Sequence, residues 1–297
     1  MFLTSVILVL QEILEAALLL SMLLLVTRLI ESGNKGLIAN RTWIWSALAC
    51  GVLLAWSYAL YMPVIAEWFD YVGQEVTNAA CQLLTIVLLL VFIYGIKNQV
   101  ELPGSAHTLV ASFCLIVVVA LAIMREGSEI VLYLRGIMGQ PEAVSPVLLG
   151  AALATGIGVS CGILLYYLLI ALKRHIALCV ALVLLAFFAG NMASQAVLLL
   201  TQADWAPYTS QVWDSSALLP EYSVAGQLLY ALVGYEATPS LLQLAAYAGA
   251  FLMIAASPVF RSACSMTPSL PLAPQRGVPR RSKTCLRRCR RICRPLS

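Results

Sequence analysis

Residues 109–123 read LVASFCLIVVVALAI, and residues 124–136 continue as MREGSEIVLYLRG. The first run has no charged residue, whereas the second places Arg125, Glu126 and Glu129 inside an otherwise apolar segment. A helix that crosses about 30 Å of hydrocarbon needs about 20 apolar residues, and buried charges in such a helix are costly. The stretch therefore predicts a transmembrane helix that carries a functional polar site.

The composition of the whole chain agrees with a membrane protein. Of its 297 residues 61% are hydrophobic and 11% are charged, and the mean hydropathy is +0.91, which excludes an ordinary soluble domain. We predict an all-α integral membrane protein. The first apolar segment is not a cleaved signal peptide, because it has no basic start and contains two glutamates. Seven transmembrane helices are predicted, at about 3–27, 43–65, 76–97, 108–138, 146–171, 176–201 and 241–260.

The charged residues are distributed unevenly along the chain. Residues 1–260 hold all 14 acidic residues and 8 of the 18 basic ones, whereas residues 261–297 hold the other 10 basic residues. The basic residues of the loops fall on one side of the predicted membrane, which favours an external N-terminus and a cytoplasmic C-terminus. We expect the basic, Cys/Arg-rich tail to be disordered and to contact anionic lipid, not nucleic acid. The loop residues are Arg28, Lys35, Arg41, Lys97, Lys173 and Arg174.

The nine cysteines do not predict a disulfide framework. Cys285, Cys289 and Cys293 lie in the tail, where we expect them to be reduced, and a metal-handling role is the alternative for them. Five others lie in apolar segments and are interpreted as small core residues: Cys50, Cys81, Cys114, Cys161 and Cys179.

A second pair of glutamates occurs in the first predicted helix. The stretch LQEILEAALLL at 10–20 contains Glu12 and Glu15, which have the same spacing as Glu126 and Glu129. Residues three apart share one helical face. The first and fourth predicted helices run in opposite directions, so we predict an inverted 3+3 repeat, about 1–97 and 108–201, with the last helix outside it. Glu12 then lies level with Glu129, and Glu15 with Glu126, so that four carboxylates converge.

Such a cluster is suited to a multivalent cation. Hard cations prefer oxygen ligands, and a trivalent ion best offsets the desolvation of several carboxylates, so Fe3+ fits. Arg125 can bond a neighbouring carboxylate when the site is empty. The alternative is a self-neutralising polar cluster that joins two helices, with some of the carboxyl groups protonated.

Further polar residues suggest an outer access path, in which Glu75 is the favoured first contact. Asn191 and Gln195 have an equally good explanation in hydrogen bonding between packed helices. The long loop at about 202–240 is acidic and aromatic, which is typical either of metal capture and docking or of anchoring at the membrane surface. The candidate residues are Glu75, Asn78, Gln82, Asn191, Gln195, Asp204, Asp214, Glu221 and Glu236.

Four stretches carry a resemblance to a known family: REGSE at 125–129, QEILE at 11–15, GNMASQAVLLLTQADW at 190–205 and LVGYEATPSLLQLAAY at 232–247. They resemble the R-E-x-x-E motifs, sixth helix and last loop of the oxidase-dependent ferric iron permeases (the iron/lead transporter family), in its bacterial branch. The resemblance spans about 1–260. It implies seven helices, uptake of Fe3+ across a bacterial cytoplasmic membrane, and periplasmic iron-binding or iron-oxidising partners. It also implies Glu12, Glu15, Arg125, Glu126 and Glu129 as the motif residues.

One departure from the family pattern is Gln11, which stands where the first motif has arginine and leaves four acids against Arg125. Fe3+ is expected as transported cargo, with no resident cofactor. Alternatives are a divalent cation transporter, for Fe2+ or Pb2+, and a non-transporting subunit of an iron-handling complex. An enzyme is not expected, because a di-iron oxidase needs E-x-x-H spacing and the only histidines, His107 and His175, do not follow a glutamate in that way.

Overall fold

The computed structural model describes residues 2–31, 42–101, 105–137, 141–220 and 223–264. Within these ranges the chain is helical, and the only pairing of extended backbone is an isolated bridge between Gln211 and Ser240. The helices are α1 (Phe2–Glu31), α2 (Thr42–Ala66), α3 (Trp68–Tyr71), α4 (Gly73–Glu101), α5 (Ser105–Ile137), α6 (Pro141–Ile170), α7 (Arg174–Gln202), α8 (Val224–Val233), α9 (Leu241–Ala255) and α10 (Pro258–Cys264).

Six of these helices are long and apolar enough to cross a membrane: α1, α2, α4, α5, α6 and α7. A seventh span exists if α9 and α10 are counted together. The prediction of an all-α membrane protein is thus confirmed, and each of the six long helices covers its predicted segment to within a few residues.

The last predicted span is not one straight helix. α9 and α10 meet at a bend of 70°. Pro258 begins α10, and a proline lacks the N–H that would continue the hydrogen bonding of α9. Residues 261–264, which were assigned to the tail, belong to α10, and the rest of the predicted tail lies outside the described residues.

The long helices pack across the two predicted repeats. The most extensive packing joins α1 to α6 and α2 to α5, while α4 packs on both α5 and α7. Exchanging each helix of the first repeat (α1, α2, α4) for its counterpart in the second (α5, α6, α7) converts the α1–α6 contact into the α5–α2 contact. This exchange of contacts is the pattern expected of an inverted repeat, which stays a prediction.

Glycines permit the closest approaches in both of these helix pairs. A Cβ atom at Gly162 of α6 would come within 2.8 Å of the Cβ of Ala17 on α1, and one at Gly51 of α2 within 2.8 Å of the Cβ of Ile123 on α5. Small residues at such crossings let helix backbones pack tightly in a bilayer. We infer two tightly packed pairs, α1–α6 and α2–α5.

The prediction that cysteines form no disulfide was wrong for one pair. Cys179 of α7 and Cys264 of α10 are bonded to each other. The bend before α10 turns the chain back onto α7, which brings together two cysteines that are 85 residues apart. Disulfides are rare in the cytosol, so this bond is in tension with the predicted cytoplasmic position of that end of α7.

Candidate metal centre

The carboxyl groups of α1 and α5 meet in the interior of the bundle. Glu12, Glu15 and Glu126 are buried, with 8%, 3% and 2% of their surface exposed, and Arg125 is 7% exposed. Glu129 is more exposed than these neighbours. The E-x-x-E spacing places both glutamates of each helix toward the opposing helix, because residues three apart lie on one face.

Three of the four glutamates form a group that can bind a metal ion. Carboxylate oxygens of Glu12, Glu126 and Glu129 all lie within 4.8 Å of one another. This is the only such group of three possible ligands among the described residues.

The fourth glutamate, Glu15, pairs with Arg125 instead. The Nη2 atom of Arg125 lies 3.4 Å from the Oε2 of Glu15, and its Nε donates to the Oε1 of Glu126 at 2.9 Å. Arg125 thus bonds to one carboxylate of each helix. Glu12 lies near Glu129, and Glu15 pairs with Arg125. Higher residue numbers on α1 therefore meet lower numbers on α5, as expected of antiparallel helices.

Gln11, which replaces the first arginine of the motif pattern, is half-buried. Among the described residues no partner hydrogen-bonds to its side chain. The first half of the molecule therefore has no counterpart of the Arg125 ion pairs.

A polar network surrounds the guanidinium of Arg125 on the side away from the carboxylates. Its Nη1 donates to the Oε1 of Gln195 at 2.8 Å, and Gln82 Nε2 donates to the same oxygen at 3.0 Å. Gln195 Nε2 donates to Asn191 Oδ1 at 3.3 Å. Three residues predicted for the access path thus bond to one another between α4, α5 and α7, the arrangement that the helix-packing alternative describes.

The two other helical residues of the predicted access path, Glu75 and Asn78, lie on α4. Asn78 accepts a hydrogen bond of 2.8 Å from the hydroxyl of Tyr58. The Oε2 atom of Glu75 is buried and has no hydrogen-bond partner in the described part of the chain.

The structure does not bring the acidic residues of the long loop together. Asp204 is exposed, and Glu236 accepts hydrogen bonds of 2.9 and 2.8 Å from Gln243. Hydrogen bonds from the hydroxyl and the N–H of Ser216 hold the pKa of exposed Asp214 below its ordinary value. Glu221 lies outside the described residues.

Sequence reasoning missed Tyr230, which reaches the site from the long loop. Its hydroxyl accepts a hydrogen bond from Gln195 Nε2, and Asn191 Nδ2 donates to its carbonyl oxygen at 3.5 Å. Tyr230 lies on α8, which starts at the N-cap Ser223 and ends at Gly234 in the left-handed conformation. A serine and a glycine about ten residues apart around an apolar run are the usual signals of a short helix, so this one was detectable.

The comparisons with known proteins agree on one family. The family model described as the iron permease FTR1 family matches residues 1–264. The chain is 26% identical over 253 residues to the ferrous iron permease EfeU of Escherichia coli O6:K15:H31 (strain 536 / UPEC), covering 80% of this chain and 88% of that protein. The ferrous iron permease EfeU of Shigella sonnei (strain Ss046) matches equally, at 26% over 253 residues, 80% and 88%. No solved structure matches the chain.

Proposed function

Because the chain belongs to the iron permease FTR1 family, it is a multi-pass membrane transporter of iron, and we propose that its cargo is Fe3+. The ion would bind between Glu12, Glu126 and Glu129 and leave toward the cytoplasm. The observation that carries this proposal is the group of three carboxylates whose oxygens lie within 4.8 Å of one another.

The charge of the cluster favours a trivalent ion over a divalent one. Three ionised carboxylates carry three negative charges. A trivalent cation balances them, whereas a divalent cation leaves one charge uncompensated in a medium where such charges are costly. Oxygen ligands also suit hard cations.

Arg125 has a defined part in the transport cycle. Its guanidinium bonds to both Glu15 and Glu126. An arriving ion competes with Arg125 for Glu126, while Arg125 keeps its bond to Glu15. Movement of the α1–α6 pair against the α2–α5 pair would then open the site inward. The membrane potential adds about 2.3 kcal/mol per charge per 100 mV to inward movement of a cation.

The loop charges support an external N-terminus in a bacterial cytoplasmic membrane. An outer surface that carries exposed carboxylates, such as Asp204 and Asp214, attracts cations and suits docking by a periplasmic iron-binding or iron-oxidising donor protein.

A second candidate cargo is Fe2+. It is favoured by the names of the similar proteins, which are called ferrous iron permeases. A site of three carboxyl groups accepts Fe2+ or Pb2+ if one of the three stays protonated, which lowers the charge of the cluster by one.

Uptake of radioactive iron into proteoliposomes distinguishes the two cargoes. Iron is supplied either as a ferric chelate under oxidising conditions or with ascorbate, and an impermeant chelator specific for Fe2+ is added in parallel. We expect uptake from the ferric chelate that the chelator does not block. Uptake that requires ascorbate and is abolished by the chelator would contradict the ferric assignment and support Fe2+.

A matched pair of variants ties uptake to the cluster. Glu12→Gln removes one possible ligand with little change in shape, and uptake should fall at least about tenfold, since a charged interaction contributes about 1.5–3 kcal/mol. Glu142→Gln changes an exposed acid at the start of α6 and should leave uptake unchanged. Equal uptake by both variants, at wild-type level, would exclude Glu12 from the path.

A further inference from the structure

An apolar groove runs along one side of the bundle, between the two tightly packed helix pairs. It encloses about 510 Å³ and is lined by residues of α1, α2, α5 and α6. Its rim is open: Val52, Ile163 and Tyr167 have 60%, 53% and 63% of their surface exposed. All three lie within predicted membrane spans, so the groove opens toward the hydrocarbon of the bilayer.

The inner wall of the groove is the back of the metal centre. Glu126 and Gly127 of α5 line it, and so do Ala16 and Ala17 of α1, which follow Glu15. Of the carboxylate cluster only Glu126 lines the groove, and 2% of its surface is exposed. A chain in the groove would therefore lie against the helix face that carries the cluster.

One end of the groove is basic and aromatic. Tyr166 lines this end, and its hydroxyl accepts a hydrogen bond of 2.6 Å from Nη1 of Arg28. The guanidinium carbon of Arg28 lies 6.0 Å from the centre of the Tyr166 ring, a cation–π distance. Arg28 is exposed.

A second guanidinium lies at the same end of α1. Arg174, the first residue of α7, donates to the carbonyl oxygen of Leu29. Two arginines and a tyrosine hydroxyl at the end of a membrane span lie at the depth of lipid headgroups. An apolar groove with a basic end is complementary to an anionic phospholipid, which has apolar chains and a negatively charged headgroup.

We propose that the groove binds an anionic phospholipid, with one acyl chain between the α1–α6 and α2–α5 pairs and the phosphate at Arg28. Bilayer chains are as apolar as leucine side chains, so the groove alone gives little preference for one lipid over another. The selectivity comes from the basic end, which attracts negatively charged headgroups. Resting on the proposed function, the lipid chain also seals the metal centre against the bilayer and lies in the seam that changes when the two helix pairs move.

Native mass spectrometry of the full chain in detergent tests the proposal without measuring iron. The protein is mixed with dioleoylphosphatidylglycerol or dioleoylphosphatidylcholine, and the retained lipid is counted. We expect one phosphatidylglycerol to be retained in preference to phosphatidylcholine. Arg28→Gln should weaken that retention about fivefold, the factor expected for one basic residue near an anionic surface.

Two further variants locate the lipid. Arg135→Gln is the matched control, because Arg135 likewise has its guanidinium over an aromatic ring, 5.7 Å from the centre of Trp56, but Trp56, unlike Tyr166, does not line the groove. It should retain phosphatidylglycerol like the wild type. Ile163→Trp fills the groove and should reduce retention of both lipids, with thermal unfolding measured to confirm that the variant is folded.

Several results would overturn the proposal. They are equal retention of the two lipids by the wild type, equal loss in the Arg28 and Arg135 variants, and a dimer that retains no lipid, which would show that a second copy covers the groove. Because none of these readouts involves iron, failure of lipid binding leaves the iron permease assignment intact. A variant of the carboxylate cluster that loses iron uptake should likewise retain lipid as the wild type does.

Discussion

The two halves of the molecule carry the same E-x-x-E spacing but place it in different electrostatic surroundings. In the second half Arg125 precedes the motif, and its guanidinium bonds to Glu15 of the first half and to Glu126 of its own. In the first half Gln11 occupies the equivalent position and offers no positive charge. Glu129, the equivalent of Glu15, is consequently not ion-paired with an arginine and belongs to the three-carboxylate group.

This difference teaches how an inverted repeat can yield an asymmetric site. Two arginines would pair with one glutamate from each half and neutralise the centre symmetrically. With one arginine, one side is neutralised and the other is left with carboxylates for a cation. The following variants either remove this asymmetry or measure it, beginning with the largest expected effect.

Glu126→Gln should have the largest effect, because Glu126 both pairs with Arg125 and belongs to the three-carboxylate group. The substitution removes a possible ligand and one partner of buried Arg125, and breaking a buried ion pair costs about 3–5 kcal/mol. Iron uptake in proteoliposomes should be abolished, and the protein should unfold at a lower temperature. Uptake at the wild-type rate would instead favour a non-transporting subunit whose charged cluster only joins helices.

Glu129→Gln and Glu15→Gln compare the two sides directly. Metal affinity should fall about tenfold or more in the Glu129 variant, which loses a ligand, and less in the Glu15 variant, which loses a partner of Arg125. Thermal stability should show the reverse order. The measurements are a titration with ferric chelate, followed by the loss of bound iron to a competing chelator, and thermal unfolding of both variants. Equal losses of affinity would mean that the two sides are equivalent.

Gln11→Arg should restore the missing positive charge and make the halves alike. A guanidinium at this position would pair with Glu129 as Arg125 pairs with Glu15, and it would compete with the cation. We expect metal affinity to fall about fivefold with the fold retained, as judged by an unchanged melting temperature. Gln11→Met, which has similar length and no charge, is the control and should bind like the wild type. A stronger site in the arginine variant would refute the competition.

Tyr230→Phe should have the smallest effect. It removes one hydrogen bond to Gln195, and Gln195 reaches the carboxylates only through Arg125. A hydrogen bond of this kind contributes about 0.5–1.5 kcal/mol. Uptake should fall by a small factor, and Tyr235→Phe in the loop serves as the control. A loss as large as that of Glu129→Gln would place Tyr230 among the metal ligands.

The extent to which the sequence predicted this structure depended on the kind of signal. The long helices were predictable because a bilayer demands about 20 apolar residues per span, and each segment was recognisable by itself. The meeting of α1 and α5 followed from repeat symmetry and helical spacing. The division of four glutamates into a group of three and an Arg125 partner did not, because it depends on side-chain directions that the spacing leaves open.

Three other features were not predicted from the sequence pattern. The bend before Pro258 and the resulting bond between Cys179 and Cys264 depend on how a distant segment folds back onto α7. Gln82, Asn191 and Gln195 were identified as polar residues inside helices, but whether they contact water or one another depends on the rotation of those helices. Tyr230 was missed because α8 is short and lies within a loop that was treated as irregular.

The most direct test is to locate iron in the protein by anomalous scattering at the iron absorption edge, using crystals grown with a ferric chelate. The account predicts a single strong peak within bonding distance of carboxylate oxygens of Glu12, Glu126 and Glu129, with Arg125 still bonded to Glu15. A peak coordinated by Glu15 in place of Glu129, or iron found only outside the helical bundle, would contradict it.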